Sequence, residues 1–155
     1  LRAQQLLAED WGVRADVWSV TSWSELARDG MTCDKKALHH PGDAPPIPYI
    51  EKVFQDVSGP FIAASDWVRA VPNQIREWIP GEYITLGTDG FGFSDTRSAA
   101  RRVFNVDAQS IAVAVLMGLV REGELEPSVA ENAAHKYAID DVNAAPISTA
   151  DPGSA

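Results

Sequence analysis

The sequence holds a single cysteine, Cys33, no apolar run longer than ten residues, and too little positive charge to balance its acids. One thiol excludes an internal disulfide and supplies no cysteine cluster for zinc, which fits a reducing compartment and leads to the expectation of a cytoplasmic protein. The longest apolar run, Ile111 to Val120, is about half the length of a membrane-spanning helix. Lys and Arg number 13 against 22 Asp and Glu, for a net charge of -9 and a pI near 4.7. Nucleic acid is bound largely by cations that displace counterions, so neither nucleic acid nor an anionic membrane is expected as a partner. No cationic, apolar leader opens the chain. Its first residues, Leu1-Arg2-Ala3, already read as helix, and the expectation is a trimmed piece of a longer polypeptide.

What is present describes an ordinary globular domain. Hydrophobic residues make up 45% and charged residues 23% of the 155 positions, enough for one core. Ala3, Leu6, Leu7 and Trp11 recur at helical spacing until Gly12, which predicts an opening helix. Ala15 to Thr21 (ADVWSVT) has the composition of a short buried strand. Ser22 and Glu25 then form a capping pattern for a helix. Between Gly30 and Pro48 a polar, proline-rich passage reads as a long surface loop. Ile50, Val53, Phe54 and Val57 mark a helix over Tyr49 to Val57. Phe61 to Ser65 reads as a second strand, and Asp66 as the cap of a helix that Pro72 divides near Val71.

Tyr83 to Leu86 is a third expected strand, leading through GTDGFGFS to a helix capped by Ser94 or Asp95. Asp107 caps the most apolar helix, and Pro127 opens the last one, through Tyr137. Beyond Asn143 the composition turns to Ala, Pro, Ser and Asp. Residues 1–143 are therefore expected to form the domain and residues 144–155 a flexible tail. Strands separated by helices predict an α/β fold with a mainly parallel sheet, whose ligands would sit at the carboxyl ends of the strands.

Few constellations carry chemistry. Gly87, Gly90 and Gly92 lie between strand and helix, but their order is not the G-x-G-x-x-G of a dinucleotide loop. Asp89 and Asp95 would also oppose a phosphate, so a structural turn is favoured over a ligand loop. His39 and His40 stand beside Asp34 and Asp43, where an imidazole could act as acid or base. No third ligand at recognisable spacing completes a metal site. The serines lack a nucleophile elbow, and the five tryptophans read as core or interface residues.

Three blocks carry a resemblance: Glu9 to Gly30 (EDWGVRADVWSVTSWSELARDG), Pro48 to Phe54 (PYIEKVF) and Leu86 to Arg97 (LGTDGFGFSDTR). Together they resemble the carboxy-terminal domain of the homodimeric pyruvate dehydrogenase first component, within the transketolase-like superfamily. The third block is shared across that superfamily, whereas the long first block points to the homodimeric pyruvate enzyme. The resemblance implies a Rossmann-like sheet flanked by helices, with a first strand that would precede the opening helix and is missing here. It implies a parent enzyme using thiamine diphosphate and magnesium. There the thiamine C2 carbanion attacks pyruvate, carbon dioxide leaves, and a lipoyl group on the second component is reductively acetylated.

The family's magnesium motif and its activating Glu match no position of this chain, so no catalytic, cofactor or metal residue is carried over. The fragment alone is expected to bind no cofactor and to be inactive. Its expected partners are the other domains of its own chain, a second copy in a homodimer, and the lipoyl-bearing acetyltransferase. A structural and dimer-interface role is expected, with His39, His40, Asp89, Phe91 and Ser94 near the active site or the subunit contact. Two alternatives stay open: the carboxy-terminal domain of another transketolase-like enzyme, and a free-standing flavodoxin-like binding module.

Overall fold

The computed structural model describes residues 1–92 and 94–139; the expected tail at 144–155 lies outside them. Seven helices and two strands are assigned within these residues. Helix α1 (Arg2–Trp11) ends where Gly12 turns left-handed, at φ 66°. An extended stretch then leads to α2 (Trp23–His39), whose N-cap Ser22 accepts a hydrogen bond from the Glu25 amide. Next come α3 (Tyr49–Phe54), β1 (Phe61–Val68), α4 (Ala70–Asn73), a 3-10 turn (Arg76–Trp78) and β2 (Tyr83–Thr88). The chain closes with α5 (Arg97–Val103), α6 (Ala108–Arg121) and α7 (Pro127–Lys136).

β1 and β2 pair in parallel, Phe61 opposite Tyr83 and Ala64 opposite Leu86, with an irregularity between Ala64 and Val68. Two parallel strands joined through helical segments confirm the expected α/β class. Successive side chains of a strand face opposite ways, and β2 shows which elements cover each face. The Tyr83 hydroxyl donates to the Pro72 carbonyl at 2.8 Å, and Thr85 Oγ1 to Asn73 Oδ1 at 3.1 Å. Ile84 instead lies 3.7 Å from the site where a Cβ on Gly118 of α6 would stand.

One core accordingly joins Ala27, Ile50, Phe54, Ala63, Ile75 and Trp78 beneath α2, α3 and α4. The other joins Leu6 and Leu7 of α1, Ala112 and Leu116 of α6, and Ala133 and Tyr137 at α7. The stretch Arg97–Arg121 is long and apolar enough to cross a membrane by length and composition alone. It is nevertheless broken between Phe104 and Asp107, and α6 buries Ala112, Val113, Ala114 and Leu116 as a core helix.

Four expectations need correction. Ala15 to Thr21 forms no strand, and Val17 and Trp18 are exposed. Its composition suits a strand, yet no neighbouring strand among the described residues offers a ladder. The expected loop after Gly30 is helix as far as His39. Gly30 is buried beneath Trp78, where an added Cβ would enter the indole ring. It is a close-approach glycine and not a helix stop.

The strand at Phe61 runs on to Val68, so Asp66 caps nothing, and the helix starts at Ala70. Pro72 thereby falls in the first turn, where the missing N–H would have had no partner in the helix. Finally, α5 is capped by Thr96, whose side chain accepts from the Ala99 amide, in place of Ser94 or Asp95.

Candidate functional site

The carboxyl ends of β1 and β2 form the polar corner of the molecule. Gly87 makes this corner possible: a Cβ there would meet the Trp67 carbonyl at 2.6 Å and the Ser65 carbonyl at 3.0 Å. Any side chain would therefore push the irregular end of β1 away from β2. The Arg69 amide donates to the Thr88 carbonyl at 3.0 Å, and Thr88 Oγ1 donates to the Asp66 carbonyl at 3.3 Å. Gly90, at φ 80°, then turns the chain out of the strand.

Charge is partly compensated here. Asp89 pairs with Arg69 at 3.0 Å, and Asp95 accepts from the Thr96 amide at 2.6 Å. Asp89 is opposed by a cation and Asp95 is held by a backbone amide, so the turn is somewhat less hostile to an anion than its sequence implies. Two cavities open beside it. One of about 180 Å³ is lined by Arg69, Thr85, Gly87 and Asn105, among others. A second of about 450 Å³ is lined by Asp66, Thr88, Arg97, Arg101, Phe104 and Val106.

Of the residues singled out from sequence, Asp89, Phe91 and Ser94 share this turn. Phe91 is 99% exposed and Ser94 is exposed. His39 ends α2 and His40 caps it, the His40 amide donating to the Lys36 carbonyl at 3.0 Å. Both histidines are exposed, and no hydrogen bond or ion pair among the described residues joins them to the turn. The structure thus divides the expected set between the end of α2 and the end of β2. Sequence reading missed Arg69, Arg97 and Arg101. The signal was available: Arg97 and Arg101 are one helical turn apart, directly after the glycine turn.

Behind the corner lies a buried ion pair. Arg102, only 6% exposed, pairs through Nε with Asp107 and donates from Nη1 to the Tyr137 carbonyl at 3.1 Å. Asp107 also caps α6 by accepting from the Ser110 amide at 2.6 Å. On the same side, Trp11 Nε1 donates to the Tyr137 hydroxyl at 2.9 Å, which donates to Asp10 at 2.6 Å. Hydrogen bonds from Lys136 and Tyr137 hold the Asp10 carboxyl below the usual range, against the effect of burial. Burial first, then the bond to Asp10, pushes the Tyr137 phenol up to about 12. Both groups fasten helices together and face no cavity named above.

Residues 1–107 match the family described as the transketolase-like TK C-terminal domain, and the chain belongs to that family. Within it, the chain is similar to pyruvate dehydrogenase E1 components. It is 61% identical over 155 residues to the one from Mycolicibacterium smegmatis, covering 100% of this chain and 17% of the relative. It is 60% identical over 153 residues to that of Mycobacterium tuberculosis, covering 99% of this chain and 16% of the relative. With the Escherichia coli K12 protein it shares 43% over 139 residues, covering 89% of this chain and 15% of the relative. The chain thus spans about a sixth of the relatives it matches.

No residue described is assigned to the thiamine diphosphate or magnesium that the family implies. No group of three metal-ligating His, Cys, Asp or Glu side chains comes together among them. Asp89, the acid of the turn, is held by Arg69.

Proposed function

We propose that this chain is the carboxy-terminal domain of a pyruvate dehydrogenase first component. That enzyme decarboxylates pyruvate and passes the acetyl group, with reduction, to a lipoyl group of an acetyltransferase. Thiamine diphosphate and magnesium are held by other domains, and this domain supports the subunit contact of a cytoplasmic homodimer. The observation that carries this reading is the 61% identity running over all 155 residues. A match of that length constrains surface as well as core. Exposed Trp18 and Trp67, at 53% and 69%, give the domain aromatic surface of the kind enriched at protein contacts.

The test uses the full-length protein and the 155-residue chain side by side. The full-length protein is expected to release carbon dioxide from pyruvate when supplied with thiamine diphosphate and magnesium, and to sediment as a dimer. The chain alone is expected to give no heat on titration with the cofactor and magnesium. A stoichiometric, micromolar signal from the chain alone would overturn the division of labour, and a full-length protein inert toward pyruvate would overturn the assignment.

A further inference from the structure

We propose that the larger cavity at the carboxyl ends of β1 and β2 is a binding site for a small anion that also carries a hydroxyl group. The anionic group is a phosphate monoester or a carboxylate, and Asp66 accepts from the hydroxyl.

Position is the first support. Open α/β sheets bind ligands outside the carboxyl ends of their strands, and the cavity is lined by Asp66 of β1 and Thr88 of β2. Its volume of about 450 Å³ lies within the range of small-molecule sites.

Charge is the second. In a chain of net charge -9, Arg69, Arg97 and Arg101 fall on this corner, and the last two line the cavity. Each guanidinium has five N–H donors in a planar fork that suits two oxygens at once. An arginine already engaged with the protein can therefore still donate to a ligand. The Thr88 hydroxyl adds a polar group, while Ala100, Phe104 and Val106 make the remaining wall apolar. Asp66 narrows the class further. A carboxylate facing a bare polyanion is repulsive, whereas beside a hydroxyl it is an acceptor. The acids that seemed to forbid an anion, Asp89 and Asp95, are occupied by Arg69 and by the Thr96 amide.

The test is residue-resolved, so it does not depend on any cofactor site elsewhere in the protein. The full-length protein is treated with phenylglyoxal, and modification of each arginine is followed by peptide mass spectrometry. The probes are α-glycerophosphate, orthophosphate and citrate at matched ionic strength. Near ten times its Kd a bound ligand leaves the site open about a tenth of the time, so Arg97 and Arg101 are expected to react about tenfold more slowly. Arg14, exposed on the stretch after α1, is expected to be unaffected. Protection by α-glycerophosphate identifies a phosphate ligand and protection by citrate a carboxylate one.

Two variants complete the test. Arg101→Gln is expected to abolish protection of Arg97. Asp66→Asn, a change on an exposed side chain, is expected to erase the preference for α-glycerophosphate over orthophosphate. Should Arg101→Gln fail to fold, the Asp66 variant and the wild-type protection pattern still decide. Arg97 and Arg101 slowed no more than Arg14 by all three probes, up to about 10 mM, would overturn the proposal. So would an undiminished preference in Asp66→Asn.

Discussion

The two faces of the sheet are held by different kinds of interaction. Beneath α2, α3 and α4 packing depends mainly on shape, with Trp78 on Gly30 and the Phe54 and Phe61 rings 4.6 Å apart, and hydrogen bonds such as Tyr83 to the Pro72 carbonyl and Trp78 to Asp34 stand at its edge. Under α1, α6 and α7 an apolar core is laced by charge, through Arg102 with Asp107 and through Trp11, Tyr137, Asp10 and Lys136. The first face is therefore sensitive above all to volume, and the second also to the charges of its ion pairs.

Removing the buried cation probes that difference hardest. Arg102→Ala leaves Asp107 buried without its partner, a loss of about 3–5 kcal/mol for a buried pair. The denaturant midpoint is expected to fall further than for Gly30→Ala on the other face. An effect below that of Gly30→Ala would erase the contrast. Gly30→Ala is expected to cost about 1–3 kcal/mol, the penalty of overpacking, because the methyl meets the Trp78 ring. Thermal melts of this variant at neutral pH check the size of the effect.

Tyr137→Phe removes a donor to Asp10 and an acceptor for Trp11, and an expected loss of about 1–3 kcal/mol places it beside Gly30→Ala in size. Its distinguishing mark is pH dependence. Asp10 has a folded pKa below its ordinary 3.8, so its contribution is present above that value and lost as pH falls through the folded value. Tyr137 has a folded pKa raised from 10.0 to about 12, so its contribution is present below 10 and lost as pH rises through about 12. Melts of wild type, Asp10→Asn and Tyr137→Phe across both ranges check this. Asp10→Asn is expected to flatten the acid side and Tyr137→Phe the alkaline side.

The smallest expected effects lie at the exposed residues. In the full-length protein, His40→Ala is expected to lower turnover about tenfold or less, near 1.4 kcal/mol, with cofactor affinity unchanged. Loss of decarboxylation with folding and cofactor binding intact would make His40 catalytic. Asp89→Ala removes an exposed pair with Arg69, for which about 0–1 kcal/mol is expected.

The sequence was most legible where local chemistry decides the outcome. Gly12, Ser22, Asp107 and Pro127 mark helix ends because capping acts over a few residues. It was least legible where the decision is made at a distance. ADVWSVT and YITLGT have similar strand character, yet among the described residues only the second meets a partner, Phe61 to Val68. Gly30 reads as a stop until Trp78, 48 positions later, is seen to need its missing side chain. The candidate site shows the same division. The turn around Asp89 was visible as a glycine-rich connection, but its compensation by Arg69, 20 residues away, belongs to tertiary structure.

Asp107 has a double position: it is the last residue of the family match and the N-cap on which α6 begins. The family match and the folding unit therefore end at different residues, although the likeness to the relatives runs through the whole chain. A chimaera joined after residue 107 would keep the whole family match while losing Ala112, Leu116, Ala133 and Tyr137, the residues against which Leu6 and Leu7 pack. It would also strand Arg102, whose second acceptor is the Tyr137 carbonyl. Module exchange between relatives is accordingly expected to succeed only when the graft carries the chain through Ile139, so that both sides of the core are transferred together.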